Sequence, residues 1–174
     1  MPLDSSSIFP KALFFKIVLN INSKSLQEIY APKGICYGCG IKNKKGLGIR
    51  SFIGQDVITA SFNPEKYHSA FPGILNGGII GSILDCHSNW AAAYYLMKSK
   101  NMNSTPCTVT ARYQIDLHKP TPIDEELEIS AYLDKIEDNK AWINAKITIN
   151  TIAYASCKGL FVAVKDNHPA YHRW

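Results

Sequence analysis

The chain has no apolar run near the roughly 20 residues that span a bilayer, which excludes a helical membrane anchor within its 174 residues. It has no Walker loop, no G-x-G-x-x-G and no G-x-S-x-G, so the common nucleotide and serine-hydrolase signatures are absent. No internal repeat or low-complexity tract occurs. Basic residues are not clustered: the net charge is +5, but the lysines are scattered, unlike the stripe of a nucleic-acid binder. The only C-x-x-C is Cys36-Tyr37-Gly38-Cys39. A zinc site needs four ligands, and no second C-x-x-C exists. Cys36 and Cys39 therefore read as structural, with no metal and no cofactor expected.

What is there fits one globular domain: 46% hydrophobic residues and enough length for a sizeable core. Five cysteines, with Cys86, Cys107 and Cys157 in predicted core elements, suit a reducing compartment. The segment 10–21 is interrupted by Lys11 and Lys16, and lacks a basic start and a small-residue cleavage site. It reads as an amphipathic helix covering part of the fold, and the protein as cytoplasmic.

Cys36–Gly48 is rich in Gly, Lys and Asn and reads as a loop. Strand signals follow at 49–53 and 57–62. Residues 63–75 carry Pro64, Pro72 and Gly73 and read as a loop. A long helix is predicted over Gly77–Lys98. Four strands come after it, at 109–117, 127–136, 141–149 and 154–164. Leu127, Ile129, Ala131 and Leu133 are expected inward, as are Ala141, Ile143, Ala145, Ile147 and Ile149. Asp138-Asn139 is the hairpin turn, and Gly159 a bulge. One long helix followed by a meander gives an α+β layout, an antiparallel sheet wrapped around a helix.

The stretch LNGGIIGSILDCHSNWAAA carries the chemistry. Glycine costs about 1 kcal/mol in a helix interior, and a carboxylate away from water costs more. Gly77 and Gly78 open the helix nonetheless, and Asp85 sits inside it. The helix start offers free N–H groups and a positive dipole end. Asp85 offers a base or nucleophile. At 100° per residue, Gly78, Gly81, Asp85, Asn89 and Ala92 share one face, and Ile80, Ile83, Trp90 and Tyr94 the opposite one, toward the sheet. A structural alternative is close helix packing, with Asp85 as a cap. His87 lies on the far side of the helix and reads as structural; His118, His168 and His172 read as surface residues.

CYGCGIKNKKGLGI (36–49), FPGILNGGIIGSILDCHSNWAA (71–92) and TVTARYQIDLHKPTP (108–122) together resemble the PaaI-like acyl-CoA thioesterases of the hot-dog fold. The resemblance implies a hot-dog domain over residues 36–174, with 1–35 as an N-terminal extension. It implies hydrolysis of an acyl-CoA substrate, with Asp85 as general base or nucleophile and the Gly77 N–H as oxyanion donor. It also implies a homodimer or homotetramer with sites at the subunit interface, and no nucleic-acid or membrane partner. Thr110 matches a Ser or Thr that positions the attacking water. The family's His-Gly-Gly is here Asn76-Gly77-Gly78, and a polar residue seven positions before the first glycine is here Ala70. His68, Ser69 and Asn89 are the candidates to replace it, and Asn76, Gly78 and His68 the candidate substrate-binding residues. A dehydratase or isomerase on acyl thioesters, pairing a His with an acid, and a non-catalytic acyl-CoA sensor are the alternatives.

Overall fold

The computed structural model describes residues 24–171. The segment 10–21 and His172 lie outside them. The chain enters at helix α1 (Leu26–Tyr30), capped by Ser25 and Glu28 in a reciprocal box: the Ser25 N–H donates to Glu28 at 2.8 Å and the Glu28 N–H to the Ser25 hydroxyl at 3.3 Å. Leu26 is buried in the same core as the strands. Strands β1 (Phe52–Ile53) and β2 (Ile58–Phe62) follow. A 3-10 turn over Lys66–His68 leads into a small hairpin, β3 (Ser69–Phe71) and β4 (Ile74–Leu75), within the stretch expected to be loop. Helix α2 (Gly77–Ser99) comes next, one residue longer than expected. Four long strands complete the chain: β5 (Thr108–Leu117), β6 (Leu127–Glu137), β7 (Lys140–Ile149) and β8 (Ile152–Ala163).

The main sheet has the order β1-β2-β6-β7-β8-β5, with every neighbouring pair antiparallel. It wraps around α2. Ile83, Leu84, Ala91, Ala92 and Leu96 are fully buried, and so are Ala141 and Ile147 on β7. The strict alternation of β7 holds through Ile149.

Four expectations need correction. The strand predicted over 49–53 shrinks to Phe52–Ile53, because the Ile49 N–H donates to the Gly38 carbonyl and the Ser51 carbonyl accepts from Leu26. Leu133 is exposed rather than inward. β2 begins opposite Ala131, so β6 has no hydrogen-bonded neighbour on that side at Leu133, although Ile143 opposite it on β7 is buried. Gly159 is no bulge: it pairs regularly with Tyr113 and Ile143. A Cβ there would come 2.4 Å from the ring of Phe161, so glycine makes room for a buried aromatic two residues on. Finally, β8 starts two residues earlier than predicted, at a two-residue turn in which Asn150 and Thr151 have φ of 49° and 71°. That is the twist a tight hairpin favours, but a β-branched threonine seldom adopts it.

The irregularity that matters lies in β5. Thr110 pairs with Phe161 and Arg112 with Leu160, leaving Ala111 as the extra residue of a bulge.

Candidate active site

β5 runs antiparallel beside α2, and the bulge divides their contact into two halves. Beyond it, odd-numbered side chains meet the glycines: a Cβ on Gly77 would stand 3.2 Å from Leu117 Cδ1, and one on Gly81 3.4 Å from Ile115 Cδ1. Before it, even-numbered side chains meet the polar pair of the helix. The Thr110 hydroxyl donates to Asp85 Oδ1 at 2.7 Å. The Thr108 hydroxyl donates to Asn89 Oδ1, and Asn89 Nδ2 donates back to the Thr108 carbonyl at 3.4 Å. Without the extra residue, Thr110 and Ile115 could not both face the helix.

Asp85 is half-buried. Desolvation raises its pKa above the ordinary carboxylate value; the Thr110 hydrogen bond opposes that shift, and negative charge on Cys36 adds to it. Such a carboxylate is a better base than one in water. Asp85 and Asn89 line a cavity of about 180 Å3 with Cys36, Cys39, Cys86 and Trp90.

The helix start is built as a donor site. Asn76 caps it, accepting from the Gly78 N–H at 2.7 Å. The Gly77 N–H has no acceptor among the described residues, Gly77 is exposed, and no acid occupies the first turn. Gly78 is thus satisfied by its own cap, and Gly77 keeps a free donor at the positive end of the dipole.

The other expected residues do not converge on Asp85. His68 is buried, its Nδ1 accepts from the Glu65 N–H at 3.0 Å, and its ring packs on Phe62 and Tyr67. Desolvation lowers its pKa, favouring the neutral ring. Its carbonyl accepts from the Asn76 N–H at 2.9 Å, so it braces the corner before the helix. Ser69 spends its hydroxyl on the Lys66 carbonyl. Of the three candidates for the polar helper, only Asn89 lines the cavity with Asp85.

His87 is fully buried, as a structural residue should be. Nε2 donates to the Ile58 carbonyl at 3.0 Å, so Nδ1 accepts from the Ser51 hydroxyl at 2.9 Å. Ser51 in turn accepts from Gln27 Nε2 at 3.1 Å, closing a buried chain from α1 to β2. His118 and His168 are exposed, as expected.

One grouping escaped the sequence. Cys86, fifty residues beyond Cys36, joins it: the sulfurs of Cys36, Cys39 and Cys86 lie within 4.8 Å of one another, and Cys36 and Cys86 are 3.7 Å apart. Trp90, expected against the sheet, gives its indole N–H to Cys39 Sγ at 3.3 Å. Hydrogen bonds from the Cys39 and Cys86 thiols hold the Cys36 thiol well below its ordinary pKa, whereas Cys39 and Cys86 are pushed up by Cys36. The signal that could have found the third member is position: Cys86 lies one turn before Trp90 on the same helix face.

No protein-family model and no curated protein matches the chain. Solved structures do. A thioesterase superfamily protein of Shewanella loihica PV-4 is 27% identical with a TM-score of 0.58, over 68% of this chain and 92% of its own. The Escherichia coli PaaI protein of the phenylacetic acid degradation operon is 14% identical with a TM-score of 0.58, over 68% and 81%. A sigma28-regulated virulence protein of Campylobacter jejuni is 12% identical with a TM-score of 0.57, over 74% and 84%. The six-stranded antiparallel sheet around one long helix is the hot-dog fold that the thioesterase superfamily shares. No helix among the described residues is long and apolar enough to cross a membrane.

Proposed function

We propose that this chain hydrolyses an acyl-CoA thioester, with Asp85 as general base or nucleophile and the Gly77 N–H as oxyanion donor. The observation that carries the reading is the half-buried Asp85 carboxylate, oriented by Thr110 at a cavity wall. As a base, Asp85 takes a proton from water while the water oxygen attacks the thioester carbon. The carbonyl electrons move onto oxygen, where the Gly77 N–H holds them. The tetrahedral adduct then expels the CoA thiolate, which takes the proton back from Asp85, and the free acid leaves. As a nucleophile, Asp85 would form an acyl anhydride that water cleaves.

Eight residues at 1.5 Å each separate Gly77 from Asp85 by about 12 Å along one helix. A single carbonyl cannot touch both. The reading therefore joins Asp85 of one subunit to Gly77 of a second, in a homodimer or homotetramer. The cavity of about 180 Å3 is smaller than the roughly 300–1,000 Å3 of small-molecule sites, in keeping with half a site per chain. The net charge of +5 suits an anionic CoA ester, and the free thiols suit the cytoplasm. Neither His68 nor His87 spends a hydrogen bond on Asp85, so an acid–histidine dehydratase has less to support it.

A free-thiol assay across short, long and aromatic acyl-CoAs tests the reading. Wild type should release CoA, and Asp85→Asn should turn over at least ~100-fold more slowly. The loss would not reflect unfolding. Burial makes ionised Asp85 a net cost to the fold above the ordinary carboxylate pKa of 3.8, so the Asn variant should melt no lower than wild type at neutral pH. Binding without thiol release would make the chain a sensor, and full activity in Asp85→Asn would remove Asp85 from the chemistry.

A further inference from the structure

We propose that Cys36, Cys39 and Cys86 bind a single zinc ion through their thiolates, with the fourth coordination position opening onto the cavity that Asp85 lines. The proposal does not depend on thioester hydrolysis. It starts from spacing. Metal–sulfur bonds of about 2.3 Å in a tetrahedron hold their sulfurs about 3.8 Å apart. Cys36 and Cys86 already stand at 3.7 Å, and all three sulfurs fall within 4.8 Å. A small movement of Cys39 completes three corners.

The three cysteines come from two elements held rigidly together. Cys36 and Cys39 sit on a tight turn, closed by the Gly40 N–H on the Cys36 carbonyl at 2.9 Å. A Cβ on Gly40 would strike the Cys36 backbone at 2.5 Å, and one on Gly38 would strike Cys86 Sγ at 2.3 Å. Both glycines are therefore needed to lay the turn against the helix. Arg50 donates to the Cys39 carbonyl at 3.0 Å, and the Leu47 and Ile49 amides donate to the carbonyls of Tyr37 and Gly38. The ligand atoms are thus positioned before any ion arrives, which lowers the ordering cost of binding.

The chemistry selects the ion. Three thiolates, the ligand set found among the described residues, form a soft set, suited to zinc rather than to magnesium or calcium. The Trp90 indole N–H on Cys39 Sγ is the outer hydrogen bond that steadies a ligating sulfur. Four protein ligands close a structural zinc site, whereas three leave a position for water or a substrate atom. All three cysteines line the cavity with Asp85 and Asn89, which is where the open position is placed.

The test uses the full chain, reduced, stripped with chelator and then titrated with zinc chloride, with elemental analysis after desalting. One zinc per chain is expected. Cobalt substitution should give thiolate-to-metal charge transfer in the near ultraviolet and the intense visible bands of a tetrahedral ion. Cys86→Ser should lose at least ~10-fold in zinc affinity, no less than the loss of an outer hydrogen-bond partner, whereas Cys157→Ser, on β8 and outside the cluster, should bind as wild type. Should Cys86→Ser misfold, the wild-type cobalt spectrum still decides. Failure of the folded, reduced wild type to retain zinc, or a cobalt spectrum without thiolate bands, overturns the proposal. So does a Cys36–Cys39 disulfide as the only change these thiols undergo.

Discussion

The Thr110 hydroxyl donates a 2.7 Å hydrogen bond to Asp85 Oδ1, tying the edge strand β5 to the one carboxylate inside α2. A hydroxyl that donates to a carboxylate stabilises its charged form and fixes its rotamer. Thr110 is thus bonded to Asp85 itself, the residue beside which the family resemblance implies that it positions the attacking water.

Thr110→Val keeps the shape of the side chain and deletes the donor. Hydrogen bonds to charged groups contribute about 1.5–3 kcal/mol, so turnover should fall roughly 10-fold or more. With the lowering influence gone, the Asp85 pKa should rise further, and the acid limb of the kcat/KM profile should move to higher pH. Thr110→Ser should restore both. An unshifted acid limb in Thr110→Val would show that the hydroxyl does not act through Asp85.

Gly77→Val tests the oxyanion donor. Its new Cβ meets only Leu117 Cδ1, at 3.2 Å, the movable end of a side chain, so the fold should survive. The branched side chain should crowd the amide, and about 3 kcal/mol of transition-state stabilisation is at stake. Circular dichroism checks the fold and the thiol assay the rate; unchanged turnover would take Gly77 out of the mechanism.

His87 gives the fold a predictable acid weakness. The buried ring is held neutral, its pKa lowered by burial from 6.5 to about 4. As pH falls through that window, the unfolded chain takes up a proton that the folded chain refuses, so stability is lost. The difference of about 2.5 units is worth about 3 kcal/mol, a large part of an ordinary folding free energy of 5–15 kcal/mol. Urea melts with chelator present should show the midpoint falling from pH 6.5 to 4. His87→Leu should flatten that dependence while lowering the neutral-pH midpoint, since Ser51 loses its partner.

The edge strand β5 predicts assembly. Among the described residues no strand pairs with its outer side, and Tyr113 and Leu117 are exposed. Isolated proteins rarely leave such an edge uncovered. Light scattering after size-exclusion chromatography at micromolar concentration should give two or four times the 19.4 kDa chain mass. An active single-chain species would sink both the oligomer and the shared site.

The legible parts of this molecule were local ones. Gly77, Gly78 and Asp85 stand within nine residues, and their cost to a helix marks them as candidates without any knowledge of the fold. The alternation of β7 could be read directly because each residue faces either core or outside. Asn76, expected to meet substrate, uses its Oδ1 to cap the helix, a role that depends on where the helix starts. His68 looked available because loops are usually solvated, but the short hairpin behind it turns the ring inward against Phe62. Cys86 was hidden by distance along the chain: fifty residues separate it from Cys36, and only the packing of the 36–48 loop onto α2 joins them. The bulge at Ala111 left no trace, since neither glycine nor proline marks it.

That unmarked residue has a consequence for how the protein can change. Because side-chain parity reverses at Ala111, the glycine half and the carboxylate half of the helix are addressed by separate stretches of one strand. Substitutions at 108 and 110 can retune Asn89 and Asp85 while 115 and 117 go on gripping the helix start. Removing Ala111 would undo that independence at a stroke: the two halves would fall into a common phase, and one of them would turn its back on the helix.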